Sequence, residues 1–152
     1  MLRIIGILLI CISVAAFGFL YTLTISFRVK ALSELEGFAL YFKSNIRFKS
    51  DDIYLVFESF KPKYNAFLKC YSSDFNKSVK ESSLSESEKA AATAFLRELG
   101  KSDMLGQTAH CEHYSEVFSK LKDDAKGELL EKGKLLKSLS LLASLAVFIL
   151  LI

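Results

Sequence analysis

Residues 4–27 hold 18 apolar side chains and not one charge. No other feature of the chain limits its fold so strongly. A bilayer core of ~30 Å is crossed at ~1.5 Å per residue, so about 20 apolar residues make a spanning helix. A helix also satisfies its own backbone hydrogen bonds, which lipid cannot do. A cleaved signal peptide carries a shorter apolar core of ~7–15 residues and a small-residue cleavage site. Here no A-x-A pattern closes the run before Arg28. Bulky Leu9 and Ile10 precede Cys11, which argues against a lipid-modified cysteine. The expectation is an uncleaved anchor over residues 1–27.

A second run closes the sequence. Residues 139–152 hold 12 apolar residues in 14, with Ser140 and Ser144 as the polar exceptions. Fourteen residues span only ~21 Å at helical rise. Counting back through Leu135 and Leu136 lengthens the run, and Lys137 can snorkel to the headgroups. A second span is therefore expected over 138–152. Of the 37 Lys, Arg, Asp and Glu, all but Arg3 lie in residues 28–137. Residues 28–138 contain 46 apolar residues in 111, an ordinary soluble fraction. This pattern excludes a plain soluble enzyme, a disordered chain and a polytopic transporter. It leaves a central domain, 28–137, between two membrane segments.

Two spans put both termini on one side. Arg28 and Lys30 follow the first span, and Lys132, Lys134 and Lys137 precede the second. Positive flanks favour the cytoplasm, so the central domain is expected there, with the three C-terminal lysines meeting lipid headgroups. Cysteine usage agrees. Cys11 falls in the membrane run, and Cys70 and Cys111 form no disulfide framework.

The central domain reads as all-α. Leu32, Leu35, Ala39, Phe42 and Ile46 follow spacing 3, 4, 3, 4, a helix-packing seam. That helix is expected to continue directly from the first span. Asp51 or Asp52 can cap a helix bearing Ile53, Val56 and Phe60, ended by Pro62, the only proline. Tyr64, Phe67, Leu68 and Tyr71 suggest another helix, and the Ser-rich stretch 72–85 a loop. Ser85 and Glu88 have the S-x-x-E spacing of a capping box. Ala91, Ala94, Phe95 and Leu99 are the expected apolar face of that helix, with Gly100 at its end. Ser102 or Asp103 then starts one long helix into the membrane, with a seam of Tyr114, Val117, Leu121 and Ala125, joined by Phe118 and Leu129. The sum is a small antiparallel helical bundle between two terminal transmembrane helices.

Few residues invite chemistry. His110, His113 and Glu116 share a helix face and include zinc-type ligands. These are the only histidines, and no CxxC or HExxH spacing supports them. A membrane-tethered metal-dependent enzyme on this face is the alternative reading. No phosphate-binding glycine motif occurs. Residues 28–137 carry 19 positive and 17 negative side chains, without the basic stripe that nucleic acid demands. No catalytic residue, metal, cofactor or nucleic acid is expected, and the chain reads as a non-enzyme. A generic helical membrane scaffold is a further alternative.

The segment Leu99-Gly100-Lys101-Ser102-Asp103-Met104-Leu105-Gly106-Gln107 stands apart. On residue types alone it is a capped helix–helix corner. It resembles the L-G-x-[ST]-D-x-x-x-Q pattern of the stage III sporulation protein AB family. The opening Met1-Leu2-Arg3-Ile4-Ile5-Gly6 and the overall layout are similar too. Lys49–Ile53 departs from the family's usual Thr-Pro-Leu. The resemblance implies a bundle like the cytoplasmic domain of the type II secretion inner-membrane platform protein. It implies a place in the channel between mother cell and forespore, on the mother-cell side. The implied partners are the sporulation secretion-type ATPase, stage III sporulation protein AA, and other channel membrane proteins. Gly100, Ser102, Asp103 and Gln107 are the candidate partner-binding residues, since a loop held by two rigid helices is a common binding site. A homo-oligomer is left open.

Overall fold

The structure is a computed structural model that describes residues 2–49, 56, 59–61, 63–64, 79 and 82–151. Three helices follow one another: α1 (Leu2–Lys49), α2 (Glu86–Glu98) and α3 (Met104–Leu151). No strand occurs among the described residues, and the fold is all-α. The chain forms two compact units, Met1–Ser26 with Ala125–Ile152, and Phe27–Asp124. Helices α1 and α3 contribute to both. The terminal unit takes in residues 125–137, which charge alone assigns to the centre.

The terminal unit has its bulky apolar groups on the outside. Leu9, Phe17, Leu141 and Ile149 are each more than 60% exposed. The seam between its two helices is instead small. A Cβ at Gly18 would overlap Ser140 and the Leu136 carbonyl, and one at Gly133 would sit 3.3 Å from Thr22 Cγ2. Small residues at the contact and large apolar ones outside are the pattern of helices paired in lipid. The hydroxyls in these segments are quenched locally. Ser13, Thr22, Thr24 and Ser140 donate to carbonyls three or four residues back, at 2.8–3.1 Å. Such back-bonding lets a polar side chain sit in a low-dielectric setting. Among the described residues one stretch, Ile12–Ile46 within α1, is long and apolar enough to cross a membrane.

The central unit has the opposite polarity. Leu32, Leu35, Ala39 and Phe42 are fully buried, as their spacing predicts, while Ile46 is half-buried. The stripe is wider than expected, because Ala31, Glu34 and Phe38 are buried too. Phe38 makes edge contacts with Phe60 at 5.3 Å and Phe95 at 6.2 Å. Phe95 in turn meets Phe118 edge-on at 5.5 Å. These T-shaped contacts suit the ring quadrupoles and join α1, α2 and α3 in one aromatic core. On α3 the buried positions are Gln107, Cys111, Ser115, Phe118 and Ala125. Tyr114, Val117 and Leu121 flank that line and are half-buried.

Helix α2 shows the clearest departure from expectation. Its N-cap is Ser85, and both arms of the capping box form. Ser85 Oγ accepts from the Glu88 amide at 3.4 Å, and Glu88 Oε2 accepts from the Ser85 amide at 2.7 Å. The buried face is Glu88, Ala92 and Phe95; Ala91, Ala94 and Leu99 are only half-buried. The cause lies on α1. Arg28 Nε donates to both Glu88 oxygens at 2.8–2.9 Å, and its Nη2 lies 2.8 Å from Oε1. The carboxylate has no exposure. Pulling Glu88 inward rotates the helix so that Ala92, one turn on, follows it into the core.

Helices α1 and α3 run antiparallel through this unit. Glu36 pairs with Lys122, and Lys43 pairs with Glu112 at 2.9 Å. Glu34, buried, accepts from the Tyr64 amide at 2.9 Å. No buried side-chain nitrogen or oxygen lacks a partner among the described residues. The cap at Asp51 or Asp52, Pro62, most of the Tyr64–Tyr71 helix and most of stretch 72–85 lie outside the described residues, as does Cys70. Within them, Val56 and Val79 are buried.

Breaking the Arg28–Glu88 pair from one side leaves a buried charge, which costs about 3–5 kcal/mol. Arg28→Ala should therefore unfold the detergent-solubilised protein at much lower temperature. Glu88→Gln, which keeps an acceptor for the Ser85 amide, should cost less. Thermal melts followed by circular dichroism check the order; equal melts for Arg28→Ala and wild type would refute it.

Candidate functional site

The corner between α2 and α3 brings together all four residues singled out in the sequence. Helix α2 ends at Leu99, which is extended (φ −65°, ψ 126°), and Gly100 follows with φ 82°. The Lys101 amide then donates to the Glu98 carbonyl at 3.3 Å. This is a type II turn, whose third residue needs positive φ and so favours glycine. Asp103 opens α3. Its Oδ1 accepts from the Gly106 amide at 3.0 Å, and its carbonyl takes the Gln107 amide at 2.8 Å. A side-chain acceptor on the N3 amide is the usual N-cap bond.

Gln107 ties the two helix ends together. It is 4% exposed. Its Oε1 accepts from the Gly100 amide at 2.9 Å. Its Nε2 donates to Ser102 Oγ at 2.8 Å and to the Glu98 carbonyl at 3.3 Å. The amide orientation follows from its neighbours, since Gly100 offers a donor and Glu98 an acceptor. Gly106 completes the corner and was not singled out in the sequence. A Cβ there would lie 2.8 Å from both Asp103 Oδ1 and Ser102 Oγ. Its signal was available, because it stands at N3 directly over the cap.

The four candidates thus build the corner, and other residues present it. Lys101 is exposed, Met104 is 51% exposed and Leu105 75%. On the rim, Glu98 lies 3.0 Å from Arg97 Nε and 3.5 Å from Lys101 Nζ. The hydrogen bond from Arg97, helped by the Lys101 charge, holds the Glu98 carboxyl below its ordinary range.

The histidine face is occupied differently from a ligand set. His110 Nε2 lies 2.9 Å from the Phe95 carbonyl, and its ring stacks on Phe95 at 5.5 Å and 13°. With Nε2 protonated, His110 supplies a donor to the C-terminal turn of α2, where carbonyls lack helical partners. His113 packs edge-on against Tyr114 at 5.2 Å, and Glu116 is exposed. Among the described residues no three His, Cys, Asp or Glu side chains are grouped to hold a metal. Cys111 between the histidines is fully buried. Desolvation pushes its thiol up to about 12, against the opposing pull of Lys43. A thiol so placed is a poor nucleophile at neutral pH.

The corner and the layout around it fit one family. Residues 3–78 and 61–152 match the family model of stage III sporulation protein AB. The chain belongs to that family. It matches no curated protein and no solved structure with which it was compared. Membership of the stage III sporulation protein AB family gives the chain a role in sporulation. The membrane-length stretch in α1, near the N terminus, adds membrane association.

Two outcomes test the site's construction. Gln107→Ala strands the Gly100 amide and should destabilise the fold by about 1–3 kcal/mol, seen as a lower melting temperature. In a Cys11→Ser, Cys70→Ser background, Cys111 should resist iodoacetamide at pH 9 until the chain is denatured. The folded thiol ionises later than the unfolded one. Its contribution to stability is therefore intact below pH ~9 and is lost as pH rises toward ~12. Rapid labelling of the native protein at pH 9 would contradict this placement.

Proposed function

We propose that this protein is a non-enzymatic membrane platform of a sporulation channel between mother cell and forespore. It is held by two membrane helices with its central unit in the mother-cell cytoplasm. There the corner docks a secretion-type ATPase. The observation that carries the reading is the contrast between the two units. Helices α1 and α3 each combine a terminal segment free of charge apart from Arg3 with a polar-surfaced central segment, and among the described residues no buried side-chain nitrogen or oxygen lacks a partner. Such a chain ties a rigid cytoplasmic surface to the bilayer, which suits assembly of a soluble motor beside a pore. Family membership supplies the sporulation setting.

Docking at the corner is assigned to what it displays. Met104 and Leu105 are apolar, exposed and held by the Asp103 cap on a rigid turn. Apolar side chains on a preorganised loop make efficient contacts, because little freedom is lost on binding. At the same corner Arg97 and Lys101 share the Glu98 carboxylate, which leaves one net positive charge to steer an acidic partner.

A clean deletion should leave vegetative growth normal and stop forespore development after engulfment. Normal spore yield from that strain would sink the proposal. For the docking surface, Met104→Ser with Leu105→Ser should lower co-purification of the ATPase by about tenfold or more, with unchanged helix content. Full retention of the ATPase would move the interface elsewhere. Cys70 should resist impermeant thiol reagents in intact cells, and labelling before lysis would reverse the orientation.

A further inference from the structure

The terminal unit contains a cleft that the platform reading does not use. It has a volume of about 290 Å³ between α1 and α3 and is lined by Phe19, Thr22, Ser26, Gly133, Lys134 and Lys137 among others. A second hollow of about 520 Å³ shares Phe19, Lys134 and Lys137 and runs on to Ser140 and Leu141. The two lysines therefore stand between both hollows.

Their charges are uncompensated. Among the described residues neither Lys134 nor Lys137 has an ion-pair partner, whereas Lys132 is held by Glu128 at 3.1 Å. The Lys137 ammonium lies instead 5.7 Å from the centre of the Phe19 ring. That cation–π contact positions the charge without neutralising it. On the floor, the Thr22 hydroxyl is committed to the Gly18 carbonyl.

The helix register places this cleft at a definite depth. Lys137 sits beside Phe19, and Gly133 beside Thr22. The last turns of the uncharged run on α1 therefore lie alongside the lysine-bearing part of α3. Residues 4–19 cover ~24 Å and residues 138–152 ~22 Å at helical rise. The two lipid-facing segments then match, each a few Å short of a ~30 Å core, a mismatch that bilayer thinning and lysine snorkelling take up, and residues 20–27 emerge at headgroup level with Lys134 and Lys137. This resolves why 24 uncharged residues on one helix oppose 14 on the other.

We infer that this cleft binds the phosphate of an anionic phospholipid, with Lys134 and Lys137 on the phosphate oxygens. The apolar neighbours Phe19 and Leu141 carry the acyl chains away from it. The inference rests on the membrane insertion proposed above and adds a ligand class to it. Two cations and an apolar exit match a lipid headgroup better than a free anion, which has no use for the exit.

The test uses the full-length chain. Purified protein in mixed micelles of equimolar phosphatidylglycerol and phosphatidylcholine is analysed by native mass spectrometry for retained lipid. Wild type should favour phosphatidylglycerol by about 30-fold, the factor two basic residues supply at an anionic surface. Lys134→Gln with Lys137→Gln should bring the ratio close to one, while Lys132→Gln should leave it unchanged. Both are exposed-surface changes, and unaltered helix content confirms folding. A wild-type ratio near one, or an equal loss on Lys132→Gln, overturns the cleft. Displacement of the lipid by excess inorganic phosphate overturns it too, in favour of a small-anion site. Flotation with pure phosphatidylcholine vesicles after an alkaline wash reads insertion separately. A chain that washes off overturns the membrane reading and the cleft together, whereas one that stays but shows no preference overturns the cleft alone.

Discussion

Glu88 holds the central unit in register. Its carboxylate serves the Ser85 amide at the start of α2 and the Arg28 guanidinium on α1, and it does so without contact with water. A buried carboxylate in this state has few acceptable positions. Two donors from different elements define its place, and a shift of either element leaves a charge unpaired. Compared with an apolar pair, such a bridge adds little net stability. We read it as an orientation device. With Glu88 inward, Ala92 and Phe95 follow on the same face of α2. Phe95 then reaches Phe38 on α1 and Phe118 on α3. The aromatic core is thus downstream of one ion pair. Arg28 has a particular place in this, since it is the first charge after 24 uncharged residues. Charge counting treats it as a topological flank, yet it also fixes the bundle.

The two units solve the same packing problem in opposite ways. In the central unit, large rings are buried and lysines and glutamates pair across the surface. In the terminal unit, glycine, serine and threonine form the seam and large apolar side chains face outward. On the membrane insertion proposed above, the difference follows from the solvent. In water the gain comes from hiding apolar area. In hydrocarbon that gain vanishes, and close backbone approach supplies the attraction instead. Gly18 is needed because any side chain would hold the helices apart, whereas Gly133 leaves a Cβ only a tight fit against Thr22. Both glycines cost a helix little where packing returns the loss.

Local features were legible in the sequence, and long-range pairings were not. The capping box at Ser85 and Glu88, the glycine turn at Gly100 and the cap at Asp103 each depend on a few neighbours. Periodicity found Leu32, Leu35, Ala39 and Phe42 for the same reason. It misjudged α2, because Arg28 is 60 residues from Glu88 and nothing local announces that partner. On α3 it found Phe118 and Ala125, but it also placed the seam on Tyr114, Val117 and Leu121, while the buried line runs back through Ser115, Cys111 and Gln107. Polar residues on that line looked like solvent positions. His110 is a further case, since the sequence offered it only within an alternative ligand face and announced no partner for its ring. Its nitrogen serves a helix-end carbonyl instead.

The corner shows that the residues of a motif need not be the ones it displays. Gly100 offers one amide and Gln107 one side-chain amide, and both are already used inside the turn. To contact a partner through them, the internal bond must first break. Exchanging one hydrogen bond for another yields little, and a buried donor left unpaired costs more than the new contact returns. Gly106 is constrained in the same way, by Asp103 and Ser102 pressing on the space a Cβ would fill. Their common product is a turn that holds Lys101, Met104 and Leu105 outward on a stiff base. On the docking proposed above, recognition would fall to side chains that the L-G-x-[ST]-D-x-x-x-Q pattern leaves as x. The pattern specifies how the surface is held, and the variable positions specify what it displays.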